Sequence, residues 1–137
     1  MAWINPKTWA AEKLLSADLN VHVKDNLNYL KNNIGLGAPA ELTIATGVIA
    51  KTKSFHKVDT EAGGATDDLD SITGGAEGDI LVLKATDGTH TVVCKHGTGN
   101  LRLDGAADFS LDSADDSITL IYDGTNWLEL ARSNNGA

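Results

Sequence analysis

The chain has 137 residues and a mass of 14.4 kDa, which suits one ordinary domain or one small domain with an appendage and excludes two large domains. Its single cysteine, Cys94, has no intrachain partner, so a disulfide framework and a cysteine-rich zinc module are both excluded. A formal net charge of −8 argues against binding to nucleic acid. No stretch reaches the roughly 18 consecutive apolar residues of a membrane span.

Charge divides the chain into two parts. The first 35 residues carry four lysines against three acidic residues, a net charge of +1. The remainder carries seven basic and 16 acidic residues, a net charge of −9. We therefore expect an N-terminal arm and helix over residues 1–39 and an acidic, β-rich domain over residues 40–137.

Two of the three tryptophans, Trp3 and Trp9, lie in the arm on either side of Pro6. A short apolar segment of this kind suits an arm that gains order in a groove of another protein. It equally suits a segment folded back onto the chain's own helix, and the sequence leaves both alternatives open.

An amphipathic helix is predicted from about Ala17 to Asn33. Ser16 can cap its first turn, and Gly35 can end it in the left-handed conformation. The apolar residues are spaced four, four, three and four apart and form one stripe: Leu19, Val23, Leu27, Leu30 and Ile34. Because an isolated helix of this length is marginal in water, the stripe is expected to pack against a partner.

From Glu41 onward the apolar period changes to two, which is typical of strands. Strands are predicted at 42–46, 48–58, 80–83, 89–95, 100–103, 109–111, 118–122 and 126–132. Residues 59–79, acidic and glycine-rich, are predicted to be an exposed loop with Leu69 and Ile72 as its apolar anchors. Asp87-Gly88 and Asp123-Gly124 each predict a hairpin turn. The pattern indicates a mainly β chain with one N-terminal α-helix, built as a small sandwich, barrel or jelly roll.

One predicted strand places His90, Cys94 and His96 at alternate positions, so that they share a face. Imidazole and thiolate are good ligands for zinc or iron, and a threefold axis could complete the coordination sphere. The favoured interpretation is a buried Cys94 between two histidines at the strand ends. We therefore predict no metal and no other cofactor.

The sequence offers little for catalysis. It contains no Gly-x-Ser-x-Gly turn, no Walker loop and no His-Glu-x-x-His motif, so an enzyme is not expected. Asp67, Asp68 and Asp70 lack the spacing and the terminal glutamate of an EF-hand, and a solvated acidic segment is favoured over a calcium site. Trp127, on the last strand, is interpreted as a core or intersubunit residue, with stacking on a sugar ring as the alternative.

Two segments carry a family resemblance. Residues 9–20 read Trp-Ala-Ala-Glu-Lys-Leu-Leu-Ser-Ala-Asp-Leu-Asn, and residues 23–27 read Val-Lys-Asp-Asn-Leu. They resemble the opening of small structural proteins of tailed phages, although Lys24 replaces the usual arginine and one alanine is missing after Ser16. Residues 121–133 are similar to the closing strands of phage tail-fibre, head-fibre and decoration proteins.

The resemblance implies a non-enzymatic homotrimer at the virion surface, anchored on the major capsid protein or a tail protein. Trp3, Trp9 and the helix stripe would form the attachment and oligomerisation surface, and the acidic β domain would face outward. The alternative is a tail-fibre module that binds a host cell-surface glycan. Neither reading involves nucleic acid or membrane insertion, and the choice between capsid and tail stays open.

Overall fold

The computed structural model describes residues 23–33 and 38–136, which form one α-helix, two short 3-10 helices and eleven strands. The helix, α1, spans Asp25–Asn33. The strands are β1 (Ala40–Thr43), β2 (Val48–Ala50), β3 (Phe55–Asp59), β4 (Thr66–Leu69), β5 (Ser71–Thr73), β6 (Ile80–Ala85), β7 (Thr91–Cys94), β8 (Leu101–Arg102), β9 (Phe109–Leu111), β10 (Ser117–Tyr122) and β11 (Trp127–Ser133). The prediction of a mainly β chain with one N-terminal helix is confirmed. Within the described residues, no helix is both long and apolar enough to cross a membrane.

The strands form three sheets around a single core. The largest has the order β1-β3-β6-β10-β11-β8, the second pairs β2 with β5, and the third has the order β4-β7-β9. Phe55 lies opposite Val82 in the first sheet, and Thr66 lies opposite Thr91 in the third, both in parallel pairs. The chain thus returns to the same sheet after about 25 residues, as in the stacked coils of a solenoid. The later strands β9 and β10 instead run antiparallel to β7 and β6.

All three sheets contribute to the core. Leu83 and Leu120 come from the largest sheet, Ile72 from the second and Leu111 from the third, and all are buried in one cluster. The largest member is Trp127, whose indole Nε1–H donates to the carbonyl oxygen of Ile72 at 3.1 Å. Few aromatic residues are needed to fill the core, because short strands of all three sheets contribute aliphatic side chains to it.

The single strand predicted over 48–58 is wrong, since the chain forms β2, a turn and β3 there. His56 holds the turn because its Nε2 accepts the backbone N–H groups of Thr52 and Lys53 at 3.2 and 2.9 Å. The loop predicted over 59–79 is also wrong in part, because β4 and β5 lie within it. Leu69 and Ile72 are buried, as the prediction of apolar anchors required.

The two Asp-Gly-Thr segments share a local turn and differ in what they connect. Asp87 Oδ1 accepts the N–H of Thr89, and Asp123 Oδ1 accepts the N–H of Thr125, two residues later in each case. Gly124 has a φ of +93°, and it joins β10 to β11 in the predicted antiparallel hairpin. The hairpin predicted at Asp87-Gly88 is wrong, because β6 and β7 belong to different sheets.

Candidate functional site

Helix α1 leaves part of its apolar stripe at the surface. Val23, Leu27 and Leu30 are 42%, 59% and 39% exposed, whereas Asn26 is buried. A spacing of four and three residues places the three apolar side chains on one side of the helix. The other predicted attachment residues, Trp3, Trp9, Leu19 and Ile34, lie outside the described residues.

A groove of about 380 Å³ separates α1 from the β domain. Its lining residues are Tyr29, Lys51, Thr52, Gly74, Gly75, Ala76 and Asp79. Lys51 is buried in its wall, and its Nζ donates to Asp79 Oδ2 at 2.9 Å, while the same oxygen accepts the N–H of Ala76. Gly74 has a φ of +79°, and a Cβ there would lie 2.7 Å from the carbonyl oxygen of Lys51. The glycine-rich turn before β6 therefore forms one side of the groove.

The structure gives separate partners to the two histidines considered as metal ligands and buries the cysteine as a free thiol. His90 Nδ1 lies 2.8 Å from Asp59 Oδ1, and His96 Nδ1 accepts the N–H of Leu103 at 2.9 Å. Both histidines lie beyond the ends of β7, and Cys94 is buried at its last position. Burial raises the pKa of the Cys94 thiol to about 12, so it stays protonated near neutral pH. In the part of the chain that the structure describes, no three His, Cys, Asp or Glu side chains are grouped to hold a metal ion.

The acidic segment around β4 bonds to its own backbone. Asp67 Oδ2 accepts the N–H of Glu61 at 2.8 Å, and its Oδ1 accepts the N–H of Asp68 at 2.9 Å. Asp70 packs against Gly47, where an added Cβ would lie 2.6 Å from Oδ2. These carboxylates therefore fix the corners between strands.

Trp127 offers no ring face to a sugar. It is fully buried, its ring centroid lies 5.0 Å from that of Tyr122, and a Cβ on Gly75 would come within 2.6 Å of its Cζ2 atom. The structure contradicts the glycan-stacking role and supports the interpretation of Trp127 as a core residue.

Two polar side chains that the sequence did not single out, the buried His56 and the half-buried Asn100, hold neighbouring parts of the chain together. His56 Nδ1–H donates to the carbonyl oxygen of Ala40 at 2.9 Å. Burial lowers the pKa of His56, so the neutral ring is the stable form in the folded chain. Asn100 bonds twice to Ile72, since its Nδ2 donates to the carbonyl oxygen at 2.8 Å and its Oδ1 accepts the N–H at 2.9 Å. The alternation of His56 with Val58 along β3 was the available signal, because it puts the histidine on the buried face of the strand, whereas nothing local marks Asn100.

The carboxylates of Asp116 and Glu129 also form bonds within the fold. Asp116 is buried and accepts four backbone N–H groups, of which two belong to Asn135 and Gly136 near the C-terminus. Glu129 pairs with Arg132. Burial acts to raise the pKa of both carboxyl groups, but the N–H donors and the guanidinium outweigh it and hold each pKa below its ordinary value.

The arrangement thus consists of an exposed helix stripe and a domain whose polar groups largely hold its coils together. The model of the phage depolymerase C-terminal beta sandwich domain matches residues 55–128, more than half of the chain. No curated protein gives a significant match. The matched part is usually a non-catalytic part of depolymerases, and the match supports a virion-associated protein of the phage tail. The chain belongs to the phage depolymerase C-terminal beta sandwich family.

Proposed function

We propose that the protein is a non-enzymatic structural component of a tailed phage, a homotrimeric short fibre that attaches to the virion through residues 1–39. The family match over residues 55–128 carries this proposal, because it relates the β domain to phage depolymerases. The acidic domain faces outward, and its negative charge keeps closely spaced copies from associating nonspecifically.

The exposed part of α1 supports an oligomer. Val23, Leu27, Leu30 and Ile34 are spaced four, three and four residues apart, which is the spacing of a coiled-coil seam. Three copies of this seam would bury Val23, Leu27 and Leu30, which one chain leaves exposed. Trp3 and Trp9, which precede the helix, are then placed to contact a tail protein or the major capsid protein.

The polar side chains that are buried or hydrogen-bonded within the fold support a structural role over an enzymatic one. A nucleophile needs a lowered pKa or an adjacent base, whereas the buried thiol of Cys94 has the opposite shift. The ring nitrogens of His56 accept and donate bonds within the fold, and Asp116 accepts four backbone N–H groups.

The mass of the full chain in solution tests the oligomer. Light scattering should give about three times the 14.4 kDa of one chain. The double variant L27E/L30E should reduce that mass while the circular dichroism of the β domain is retained, and N28E on the same helix is the matched control. A monomer mass for the unaltered chain would refute the trimer.

Phage particles that lack the protein allow its attachment and its location on the virion to be tested. Full-length protein added to them should bind, and W3A/W9A should bind at least tenfold more weakly. Immunogold labelling at the tail supports the fibre, whereas labelling over the capsid supports a decoration protein instead. Unchanged binding of W3A/W9A would refute the role of the arm.

The alternative function is a module that binds a host glycan, but Trp127, the residue predicted to contact the sugar, is buried. Saturable binding of the full-length protein to a host surface glycan would favour that alternative.

A further inference from the structure

Three Asp-Gly pairs lie within the described residues and differ in their hydrogen bonds. They are Asp87-Gly88, Asp104-Gly105 and Asp123-Gly124. In such a pair the amide nitrogen of the glycine can attack the carboxyl carbon of the aspartate. Glycine favours this attack because it has no Cβ to hinder the approach and gives the backbone more freedom than any other residue. The residue types alone therefore give the three pairs similar reactivity.

The carboxylates of Asp87 and Asp123 are held in local turns. Asp87 Oδ1 accepts both the N–H and the hydroxyl of Thr89 at 2.7 Å. Asp123 Oδ1 accepts the N–H of Asn126 at 2.6 Å. The Thr89 hydroxyl lowers the pKa of Asp87, and the Asn126 N–H lowers the pKa of Asp123, because each donor stabilises the charged carboxylate. The attack needs the neutral acid, from which an oxygen can leave as water, so these two pairs are protected.

The pair Asp104-Gly105 lacks this protection. Both residues are exposed, in the short 3-10 helix Asp104–Ala106 between β8 and β9. In the part of the chain that the structure describes, the carboxylate of Asp104 accepts no hydrogen bond and the N–H of Gly105 donates none. A Cβ on Gly105 would meet no atom within 4 Å, so the space around the nitrogen is open. Both groups that must react are therefore accessible and without a competing partner among these residues.

The Asn-Gly pair near the C-terminus can undergo the same attack, but the fold holds both of its reacting groups. The N–H of Gly136 donates to Asp116 Oδ1 at 3.1 Å. The side-chain amide of Asn135 is fixed at both ends, since its Oδ1 accepts the hydroxyl of Ser133 and its Nδ2 donates to the carbonyl oxygen of Asp115 at 3.0 Å. The folded chain therefore protects Asn135 as well.

We infer that Asp104-Gly105 is a modification site of the folded chain, at which the aspartate converts spontaneously to isoaspartate. The amide nitrogen of Gly105 forms a bond to Cγ of Asp104 and loses its proton. The Cγ–OH bond of the neutral acid breaks, and one water leaves from the resulting succinimide ring. A water then adds to the main-chain carbonyl carbon of Asp104 and breaks its bond to the nitrogen of Gly105. The main chain now runs through Cγ, and the former carbonyl carbon carries a carboxylate. Water leaves and returns, so the mass is unchanged and nothing is oxidised or reduced.

The main-chain groups of Asp104 that the reaction alters are bound to β11. The N–H of Asp104 donates to Glu129 Oε2 at 2.9 Å, and its carbonyl oxygen accepts from Arg132 Nη2 at 3.2 Å. Isomerisation turns that carbonyl into a carboxylate beside the guanidinium of Arg132. An ion pair then replaces a bond to a neutral acceptor, which favours isoaspartate over the return to aspartate.

Ageing of the full-length chain tests the inference. Native protein and protein unfolded in urea are incubated side by side at neutral pH and at one temperature below the melting transition. Electron-transfer fragmentation of the peptides locates isoaspartate, and methylation by an isoaspartyl methyltransferase measures its total amount. In the native chain, isoaspartate should accumulate at residue 104 several-fold faster than at residue 87 or 123, and Asn135 should keep its amide. In urea the three Asp-Gly pairs should react at similar rates, and Asn135 should lose its amide.

Two matched variants check the assignment in the native chain. D104E should remove most of the methylation, because the longer side chain would have to close a larger ring. D87E makes the same replacement at a protected pair and should leave the methylation unchanged.

Three results would overturn the inference. Equal rates at the three pairs of the native chain would show that the turns at Asp87 and Asp123 give no protection. A rate at residue 104 that is also the highest in urea would show that the sequence, and not the fold, selects the site. The absence of isoaspartate at residue 104 of the aged native chain would refute the reaction itself. None of these results changes the mass or the attachment expected of the proposed fibre, so the proposed function is tested separately.

Discussion

The replacement of Asn100 by alanine tests how the coils are joined. The side chain of Asn100 takes the place of a paired strand, because it donates to the carbonyl oxygen of Ile72 and accepts from its N–H group. Ile72 is buried, so water cannot replace the lost amide without opening the structure. Its carbonyl oxygen keeps the bond from the indole of Trp127, but its N–H group is left without an acceptor.

The expected loss follows from that one unsatisfied donor. A buried polar group without a partner costs about 1–3 kcal/mol, and the loss of the second bond adds a smaller amount. We therefore expect N100A to lower the free energy of unfolding by about 2–4 kcal/mol. For a chain of this size, that corresponds to a decrease in melting temperature of roughly 6–16 °C.

Thermal and urea unfolding, followed by circular dichroism at matched protein concentration, measure the change. The control is N126A, which alters the same residue type next to Trp127 and keeps the backbone bonds of Asn126 with Asp123. We expect N126A to change the stability by less than about 0.5 kcal/mol. If N100A is no more destabilising than N126A, the side chain of Asn100 does not join the coils and our account of the core is refuted.

Three further predictions concern groups with shifted pKa values or close packing. Burial lowers the pKa of His56, so the neutral ring should contribute fully to stability above about pH 6.5 and progressively less below it. The variant H56A should lose this pH dependence in urea titrations between pH 7 and 5. The thiol of Cys94, with a pKa raised to about 12, should react with a disulfide reagent at pH 8 only at the rate of unfolding, and immediate labelling of the folded chain would contradict its burial. G99A should destabilise the fold by more than about 2 kcal/mol in urea titrations, because the added Cβ meets the carbonyl oxygen of Asp70. The tolerant control is G88A, because the nearest atoms there would lie 3.8 Å from the added Cβ and Gly88 does not have a positive φ.

The strands could be predicted from the sequence wherever pairing is local. Residues 118–122 and 126–132 alternate on both sides of Asp123-Gly124, and the structure joins them as an antiparallel hairpin. The prediction failed at Asp87-Gly88 because β6 pairs with β3 and β10, which are distant in sequence. An Asx turn fixes the local bend, but the partners of the flanking strands are chosen by long-range packing.

The strands within residues 59–79 show the same limit. Their composition is that of a loop, with many acidic residues and glycines. Parallel pairing of β4 with β7 and of β5 with β2 supplies the backbone bonds, and the buried side chains of Leu69 and Ile72 hold each strand to the core. Propensity favours a loop here, and tertiary contacts override it.

The candidate interaction surfaces illustrate what a linear pattern can and cannot reveal. The stripe of α1 is local, so its spacing was visible, and the structure leaves Leu27 and Leu30 exposed as a partner surface requires. The exposed apolar residues of the largest sheet, such as Ile80 and Leu130, could not be grouped from the sequence, because they come from different strands and because alternation along each strand does not say which side faces the core. When both sides of a strand are apolar, as in Ile80-Leu81-Val82-Leu83, the pattern itself indicates two contacts, one with the core and one with something outside it.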